Sequence, residues 1–201
     1  MVAQCPFSMN RFPKFKEWLT RVSSLTDNDY ELFESSLHVK AIKRKEFFLK
    51  EGVVCKEMGF INEGAFRTFF ISGDKEINTR FVFENQFAVD YNSFLQEKPS
   101  RYFIQALEDS ELIMFNFATL KNAYQLSKNW ERFGRIMAEE ACNATTQRVE
   151  SFLFYDGEKR YRSLLNDDPQ LFNRVPLYHI ASYLGLERES LSRLRKKVAA
   201  V

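Results

Sequence analysis

The spacing of apolar residues divides the chain into a helical N-terminus, a β-rich centre and a helical C-terminal half. Residues 12–36 have helical spacing, with Thr26 as the predicted N-cap and Asp27 and Asp29 in the first turn, where the helix dipole favours negative charge. From Val39 to Asn116 the pattern changes to short apolar runs rich in β-formers. These runs are 47–49, 58–61, 65–71, 77–83, 102–107 and 111–115.

Turn-forming residues separate these runs at intervals of roughly ten residues. They are Gly52, Asn62-Glu63-Gly64, Ser72-Gly73-Asp74 and Asn85. Short strands with regularly spaced turns are typical of an antiparallel sandwich or barrel, and we predict a β-roll or jelly roll here. We interpret the many phenylalanines of this region as core residues, because large apolar side chains in strands are usually buried.

From Thr119 onward the apolar period lengthens to that of a long helix. Residues recur at alternating steps of four and three: Leu126, Trp130, Phe133, Met137, Ala141 and Ala144. Such a stripe either pairs with the same stripe of a second copy or packs against the β-region of its own chain. We favour the first arrangement, which makes a two-fold dimer.

The helical pattern is interrupted at Asp156-Gly157, which is the predicted hinge between the two halves of the molecule. A short helix is predicted to follow through Arg160, Tyr161, Leu164 and Leu165. It should end at Asp167-Asp168-Pro169, because the residue before a proline avoids the helical conformation.

The most specific pattern lies between Val175 and Lys197. It predicts two helices that meet at a bend, with a small Ala181 at their close contact and Gly185 in the left-handed conformation. If Leu191, Leu194 and Val198 face inward, the outward face carries Arg188, Glu189, Ser192, Arg193 and Lys196. Arginine can bind guanine, glutamate can accept from cytosine, and serine or lysine can bind phosphate. This pattern predicts a DNA-reading helix-turn-helix; the alternative is an ordinary charged helix on a solvated surface.

The distribution of charge along the chain supports the DNA-reading helix-turn-helix. The net charge of the 201-residue chain is only +2, but residues 187–201 contain five Lys or Arg and two Glu. The basic surface is therefore expected to be compact and C-terminal. The length suits two small domains.

The cysteines and the N-terminal sequence indicate the cellular compartment in which the protein is expected. Cys5, Cys55 and Cys142 are isolated, so neither a disulfide framework nor a four-cysteine cluster is predicted, and a reducing cytoplasm is the expected location. A redox-sensing thiol remains an alternative to buried structural cysteines. The first residues lack a basic start and an apolar core, and no later window has eighteen uninterrupted apolar residues. We expect neither export nor membrane insertion, and no metal site.

Enzyme classes find no support in the sequence. A metal-dependent cupin needs a cluster of His and carboxylate ligands on facing strands, which residues 39–116 do not contain. The sequence also contains no Gly-x-Ser-x-Gly elbow and no Walker-type phosphate loop. We predict a protein that is not an enzyme and has no cofactor.

The order of β-roll, long helix and C-terminal helix-turn-helix resembles the Crp/Fnr family of transcription regulators. The resemblance covers nearly the whole chain and is most specific at Gly185-Leu186-Glu187-Arg188-Glu189-Ser190-Leu191-Ser192-Arg193, which is similar to the family's recognition segment. It implies an α+β protein with a jelly-roll-like effector domain at 1–120, a dimerisation helix at 121–155 and a DNA-binding domain at 156–201. The residues implied to contact DNA are Arg188, Glu189, Ser190, Ser192, Arg193 and Lys196.

The resemblance also implies partners. A dimeric regulator of this kind binds double-stranded operator DNA, pairs through 121–155, and has RNA polymerase as a further candidate partner. The family usually has a β-hairpin wing after its recognition helix, whereas only Ala199, Ala200 and Val201 remain here. We therefore expect no full wing and a strongly salt-dependent affinity. The alternative is an interaction module that kept this fold and lost DNA binding.

The effector site departs from the cyclic-nucleotide members of the family. Those members use a Gly-Glu pair and, some ten residues on, an Arg-Ser/Thr pair, where this chain has Val89-Asp90 and Ser100-Arg101. Ser100 stands where the phosphate-binding arginine belongs, and Arg101 comes one residue late, which turns a strand side chain to the opposite face. We place the effector pocket at these four residues and Tyr102, and expect no cyclic AMP binding of the usual kind.

Several effector alternatives stay open. A one-residue difference in the loop Gln96-Glu97-Lys98-Pro99 would return Arg101 to the pocket, and otherwise Arg101 is a surface residue. In that case the effector is a different small molecule in an apolar pocket, or there is none. Iron–sulfur members need four cysteines that are missing here. At His179 a DNA-phosphate contact or a partly buried imidazole is favoured over metal ligation, and His38 precedes the β-region.

Overall fold

The computed structural model describes residues 11–199. The helices are α1 (Pro13–Ser23), α2 (Asp27–Glu34), α3 (Tyr91–Gln96), α4 (Phe117–Leu126), α5 (Lys128–Phe154), α6 (Gly157–Asp167), α7 (Leu171–Arg174), α8 (Leu177–Leu184) and α9 (Arg188–Ala199). The strands are β1 (His38–Ile42), β2 (Phe47–Leu49), β3 (Glu57–Glu63), β4 (Phe66–Ser72), β5 (Lys75–Val82), β6 (Phe87–Ala88), β7 (Phe103–Ala106) and β8 (Ser110–Asn116).

The strands form two four-stranded antiparallel sheets, and the predicted β-roll is confirmed. One sheet has the order β1-β8-β3-β6 and the other has the order β2-β7-β4-β5. Buried residues of both sheets, such as Phe60 of β3 and Phe66 of β4, belong to one apolar cluster. The turn before β4 requires Gly64, whose φ is +113° and where an added Cβ would lie 2.1 Å from Ser110 Oγ.

Each predicted β run overlaps a strand. Strand β1, which precedes the first predicted run, was not predicted, and neither were three other short elements. The two-residue strand β6 and the six-residue helix α3 lie between the runs at 77–83 and 102–107. Helix α7, of four residues, follows Pro169 at the predicted end of α6. These elements are too short to show a hydrophobic period.

The N-terminal helical stretch consists of two helices. Ser24 ends α1 in the left-handed conformation, with φ of 57°. Thr26 caps α2 as predicted: its side chain accepts from the Asp29 amide, and the Asp29 carboxylate accepts from the Thr26 amide. Burial by itself would raise the pKa of Asp29, but hydrogen bonds from Ser127, Asn129 and Thr26 lower it to about 2.

Aromatic residues join these helices and α5 to the β-roll. Phe15 of α1 lies 4.7 Å from Phe60 of β3, measured between ring centroids, and Phe33 lies 4.2 Å from Trp130 of α5. The indole of Trp130 also donates to the carbonyl oxygen of Asp29 at 3.1 Å. Burial and this hydrogen bond fix the start of α5 against its own chain.

This packing corrects the predicted dimer stripe. Trp130 and Phe133 are buried in the chain's own core, and Met137 packs against the same cluster, so this part of the stripe is not free for a second copy. Ser127 also breaks the stripe, because α4 ends there and Leu126 is left exposed. The exposed apolar residues of α5 lie nearer its end, at Val149, Phe152, Leu153 and Phe154.

A second apolar cluster forms the C-terminal part of the molecule. It contains Tyr161 of α6, Leu171 of α7, Ile180 and Leu184 of α8, and Leu191 of α9. Three partly buried residues of the β-roll pack against it, which are Phe81, Phe83 and Leu107. The C-terminal helices are therefore seated directly on the β-roll.

Some expectations concern residues outside the described range. Cys5, the N-terminal segment 1–10 and the tail residues Ala200 and Val201 are among them. Within residues 11–199, none of the helices combines the length and apolar composition needed to span a lipid bilayer.

Candidate functional site

Helix α9 presents a basic face to solvent. Its apolar side points inward, where Leu191 is 0% exposed and Leu194 and Val198 are half-buried against the C-terminal cluster. The opposite side exposes Arg188, Glu189, Ser192, Arg193 and Lys196, while Ser190 is half-buried. The helical period of the sequence thus separates the two faces as predicted.

The exposed side chains of this face have few partners. Arg193 lies 3.4 Å from the Ser190 hydroxyl, measured from Nη2 to Oγ. Among the described residues, the side chains of Arg188, Glu189, Ser192 and Lys196 make no hydrogen bond or salt bridge. Their donors and acceptors are open to an external partner, in the mixture of types that base edges and phosphates require.

The bend before α9 is built as the sequence predicted. Gly185 adopts the left-handed conformation with φ of 65°, and its amide donates to the Ser182 carbonyl at 3.2 Å. The next amide, of Leu186, donates to the carbonyl of buried Ala181 at 2.9 Å. A Cβ at Gly185 would lie 2.8 Å from the ring of Phe152, so glycine is required for conformation and for space.

Helix α8 differs from α9, because its polar residues are committed to the β-roll. The Ser182 hydroxyl accepts from the Asn78 amide at 3.0 Å and donates to the Glu76 carbonyl at 2.7 Å, both on β5. His179 is 6% exposed, and its Nδ1 lies 3.0 Å from Arg67 Nη1 and 3.3 Å from Asn78 Nδ2. Of the two interpretations of His179 that were favoured over metal ligation, the structure supports the buried imidazole and leaves no exposed ring for a DNA phosphate.

Buried Arg67 is the centre of this network. It is 4% exposed, contacts Glu76 at 2.5 Å through Nη1, and donates to Gln105 Oε1 from Nε at 2.9 Å and from Nη2 at 2.6 Å. A guanidinium has only donors, so Nδ1 of His179 must accept and the proton of the neutral ring lies on Nε2. Burial lowers the pKa of His179 to about 4, and the positive charge of Arg67 acts in the same direction.

Ion pairs also join the C-terminal helices to the β-roll on either side of the contact between α8 and β5. Arg174, the last residue of α7, donates to the two carboxylate oxygens of Glu84 at 2.7 and 2.8 Å and also contacts Glu108. The hydrogen bonds from Arg174 lower the pKa of Glu84 to about 2, against the opposing effect of burial. Lys75 of the β4–β5 hairpin pairs with Glu187 at 2.8 Å, next to the start of α9.

The residues predicted to form the effector pocket lie on either side of α3. Asp90 caps α3, accepting from the Ser93 amide at 3.3 Å, and its other oxygen accepts from the buried Ser100 hydroxyl at 2.7 Å. Val89 is half-buried against the core, and Arg101 is exposed. The Tyr102 amide donates to Ser100 Oγ at 2.9 Å. The Asp90 carboxylate is thus engaged within the loop, and exposed Arg101 makes no hydrogen bond or salt bridge to it.

The remaining candidate ligand residues are scattered. Cys55 is buried, which raises the pKa of its thiol to about 11, and Cys142 is exposed. His38 is exposed and lies 3.4 Å from Glu57. Among residues 11–199, no group of three or more His, Cys, Asp or Glu is placed to bind a metal ion.

Sequence reasoning missed the residues that join the two parts of the molecule. Arg67 and Asn78 lie within runs that were interpreted as ordinary core strands. A signal was present, since an arginine and an asparagine inside apolar runs need buried partners. The partners, however, are more than a hundred positions away in the sequence, at a separation of 112 for Arg67 and His179.

Known proteins share parts of this sequence and of this architecture. Residues 39–127 match the model of the cyclic nucleotide-binding domain family. No curated protein sequence matches the chain.

Three solved structures illustrate the likeness. The c-di-GMP responsive global regulator CLP of Xanthomonas campestris is 17% identical, with a TM-score of 0.69 over 87% of this chain and 92% of that one. FixK2 of Bradyrhizobium japonicum is 14% identical, with a TM-score of 0.70 over 82% and 85%. A putative Crp/Fnr regulator of Eubacterium rectale is 17% identical, with a TM-score of 0.69 over 92% and 88%. Residues 39–127 are therefore similar to the cyclic nucleotide-binding domain family, and the chain as a whole has the fold of the Crp/Fnr-type regulators.

Proposed function

We propose that the protein is a sequence-specific DNA-binding transcription regulator and that α9 is its recognition helix. The observation that carries the proposal is the solvent-exposed face of α9, whose arginines, glutamate and lysine have almost no partners within the chain. This face follows the left-handed bend at Gly185 and is anchored from behind by buried Leu191, which is the arrangement by which a second helix is presented to the major groove.

The roles of individual residues follow from their chemistry. Arg188 and Arg193 would donate two hydrogen bonds each to guanine O6 and N7, and Glu189 would accept from cytosine N4. Ser190, Ser192 and Lys196 would bind phosphate oxygens and fix the register of the helix on the duplex. Leu191 supports all of them from behind, because it anchors α9 in the C-terminal cluster.

The regulator is proposed to act as a homodimer through the C-terminal half of α5. Two recognition helices read half-sites about 34 Å apart, so a single copy covers only one of them. In α5, Val149, Phe152 and Leu153 lie three and four residues apart on one face, and Leu153 is 71% exposed. Phe154, which is 72% exposed, lies beside this face at the end of the helix. Burying this apolar stripe against its own copy favours the two-fold arrangement.

The test is DNA binding by the full chain. Sites are selected from random duplexes, and the affinity of the best site is measured for wild type, Arg188→Ala and Arg193→Ala. Each loss of a base-reading arginine should cost roughly 1 to 3 kcal/mol and weaken the preference at one position of the site. Arg101→Ala is the matched control, because it removes an exposed arginine of the effector domain.

The alternative is an interaction module with the same fold and no DNA binding. It predicts that no duplex is enriched by selection and that the four proteins bind DNA equally and weakly. In that case α9 would be a surface for a protein partner, and the proposed function would be wrong.

A further inference from the structure

Docking of α8 on the β-roll depends on an uncharged histidine. His179 is 6% exposed and Arg67 of β4 is 4% exposed. The Nδ1 atom of His179 accepts from Arg67 Nη1 at 3.0 Å and lies 3.3 Å from the Nδ2 donor of Asn78. Both contacts need a free lone pair on Nδ1, and only the neutral imidazole has one.

Protonation of the ring removes this acceptor and adds a charge. An imidazolium carries a proton on each ring nitrogen, so Nδ1 can no longer accept from Arg67. It also places a second cation 3.0 Å from the Arg67 guanidinium, where both side chains are largely shielded from water. Like charges repel strongly at this distance when water is excluded. The charged ring is therefore incompatible with the docked position of α8.

The carboxylate that faces His179 does not offset this repulsion. Glu76 of β5 favours the charged form of the ring, but its Oε2 already accepts from Arg67 Nη1 at 2.5 Å. Burial of the ring and the charge of Arg67 outweigh Glu76, because the pKa of His179 is lowered in this contact.

Other charged groups around α8 add to the positive environment of the ring. The cleft beside it is lined by three further charged residues, which are Lys75, Glu187 and Arg188. Lys75 and Glu187 form a salt bridge with each other at 2.8 Å. At the opposite end of α8, Arg148 of α5 and Arg160 of α6 donate to backbone carbonyls. These cations favour the neutral ring as well.

The ion pairs that flank the contact stay charged while the histidine titrates. Hydrogen bonds from Arg174 lower the pKa of Glu84 to about 2, and the hydrogen bond from Lys75 lowers the pKa of Glu187. Both carboxylates are therefore ionised at about pH 5. An imidazole is the side chain whose ordinary pKa lies in the window just below neutral pH. His179 is thus the residue through which a small fall in pH can act on this contact.

We propose that the contact between α8 and the β-roll is proton-sensitive: a proton on His179 displaces it from Arg67 and shifts helices α6–α9 toward a state released from the β-roll. The inference rests on the proposed function for its regulatory meaning, because the released helices include the proposed recognition helix α9. The proton acts as a ligand that binds the released state more tightly than the docked state. The test uses no DNA, so failure of the release and failure to bind an operator are separate results.

The expected size of the effect follows from the two pKa values of His179. The pKa is about 4 in the docked state and 6.5 in its ordinary state, which is the state of a released ring. Docking therefore has its full stability above pH 6.5 and loses it as the pH falls toward 4. Between about pH 7 and about pH 5, the ratio of released to docked molecules should rise about 20-fold.

Hydrogen exchange of single backbone amides, followed by nuclear magnetic resonance on the full chain, measures this ratio. The Asn78 amide donates to Ser182 Oγ at 3.0 Å across the contact, so it exchanges when α8 leaves. The Ile61 amide donates to the Gln86 carbonyl within the β-roll and reports on the roll itself. After correction for the intrinsic rate at each pH, the opening constant of Asn78 should rise by the expected factor of about 20. Ile61 should remain more strongly protected than Asn78 at both pH values.

Three variants assign the effect to one side chain. His179→Gln keeps an acceptor for Arg67 but cannot be protonated, so the opening constant of Asn78 should not rise with acid. His38→Gln removes the other histidine of the chain, which is exposed, and should respond as wild type does. His179→Lys places a permanent cation beside Arg67 and should be largely released already at neutral pH.

Folding of the β-roll is checked by tryptophan fluorescence, because Trp18 and Trp130 both belong to its apolar cluster. If His179→Lys fails to fold, wild type and His179→Gln carry the test. Equal acid responses in wild type and His179→Gln would overturn the proposal, as would equal opening constants for Asn78 and Ile61, which indicate unfolding of the whole chain. It is also wrong if Asn78 shows no rise, because the proton would then be accommodated in the docked state by rotation of the Asn78 amide, whose Oδ1 is buried without a partner among the described residues.

Discussion

Helices α8 and α9 are neighbours joined by one bend, yet polar side chains of α8 bind the β-roll whereas those of α9 are open to solvent. In α8, His179 and Ser182 are bound to β5 and to buried Arg67. In α9, Arg188, Arg193 and Lys196 are exposed. The difference indicates that α8 is the structural member of the pair, which seats the C-terminal part on the β-roll, and that α9 is the member left for a partner.

The largest expected effect comes from removing the apolar anchor of α9. Leu191→Ala should lower the free energy of unfolding by about 2–5 kcal/mol, because Leu191 is 0% exposed and a cavity would remain. Chemical denaturation measures it. Ser192→Ala, at the next and exposed position, should change the value by less than about 0.5 kcal/mol. A Leu191 loss as small as that of Ser192 would mean that α9 is not anchored there.

The next effect concerns the centre of the α8 contact. Arg67→Met should cost about 1–3 kcal/mol, because it leaves Gln105 and His179 without their buried donor. It should also raise the pKa of His179 from about 4, since burial would remain but the cation would be gone.

Nuclear magnetic resonance can follow this pKa directly. The chain has two histidines, and the signal of exposed His38 should not respond to the substitution. An unchanged His179 titration in Arg67→Met would contradict the proximity of the two side chains.

A smaller effect is expected from acid. The pKa of His179 is about 4 in the docked state and 6.5 in its ordinary state, so the neutral ring is the form that docking stabilises. As the pH falls below 6.5 the unfolded chain binds a proton that the folded chain does not, and stability is lost progressively toward pH 4. At about pH 5.5 the loss should be about 1 kcal/mol.

Substitution isolates this contribution from those of the carboxylates. His179→Gln cannot titrate, so its stability should fall less than that of wild type between neutral pH and pH 5.5, which lies between the ordinary pKa of 6.5 and the folded pKa of about 4. Parallel pH profiles of the two proteins would show that His179 is not held neutral against the β-roll.

The smallest effect on stability is expected at the exposed face. Arg188→Ala and Arg193→Ala should each change the free energy of unfolding by less than about 0.5 kcal/mol, because neither residue is buried. The same variants are the ones expected to lose DNA affinity. A variant that loses stability and affinity together would place its arginine in the structure and not in the interface.

The parts of this fold that could be predicted are those with a local pattern. Alternating apolar runs gave the strands, Thr26 marked the start of α2, and Gly185 marked the bend before α9. The exposed face of α9 followed from the spacing of Leu191, Leu194 and Val198. In each case the physical requirement concerns residues only a few positions apart.

The parts that could not be predicted depend on contacts distant in sequence. A stripe with Trp130 and Phe133 has the same spacing whether it meets a second copy or its own β-roll, and it meets the β-roll. The pairing of Arg67 with His179 needs the docked arrangement of β4 and α8.

Guanine methylation interference on a selected operator tests the central claim most directly. A methyl group at N7 blocks the major-groove edge that an arginine of α9 would read. Wild-type protein should fail to bind duplexes methylated at particular guanines, and Arg193→Ala or Arg188→Ala should each relieve the block at one guanine per half-site. Identical interference patterns in wild type and both variants, or none at all, would contradict the assignment of α9 as the DNA-reading helix.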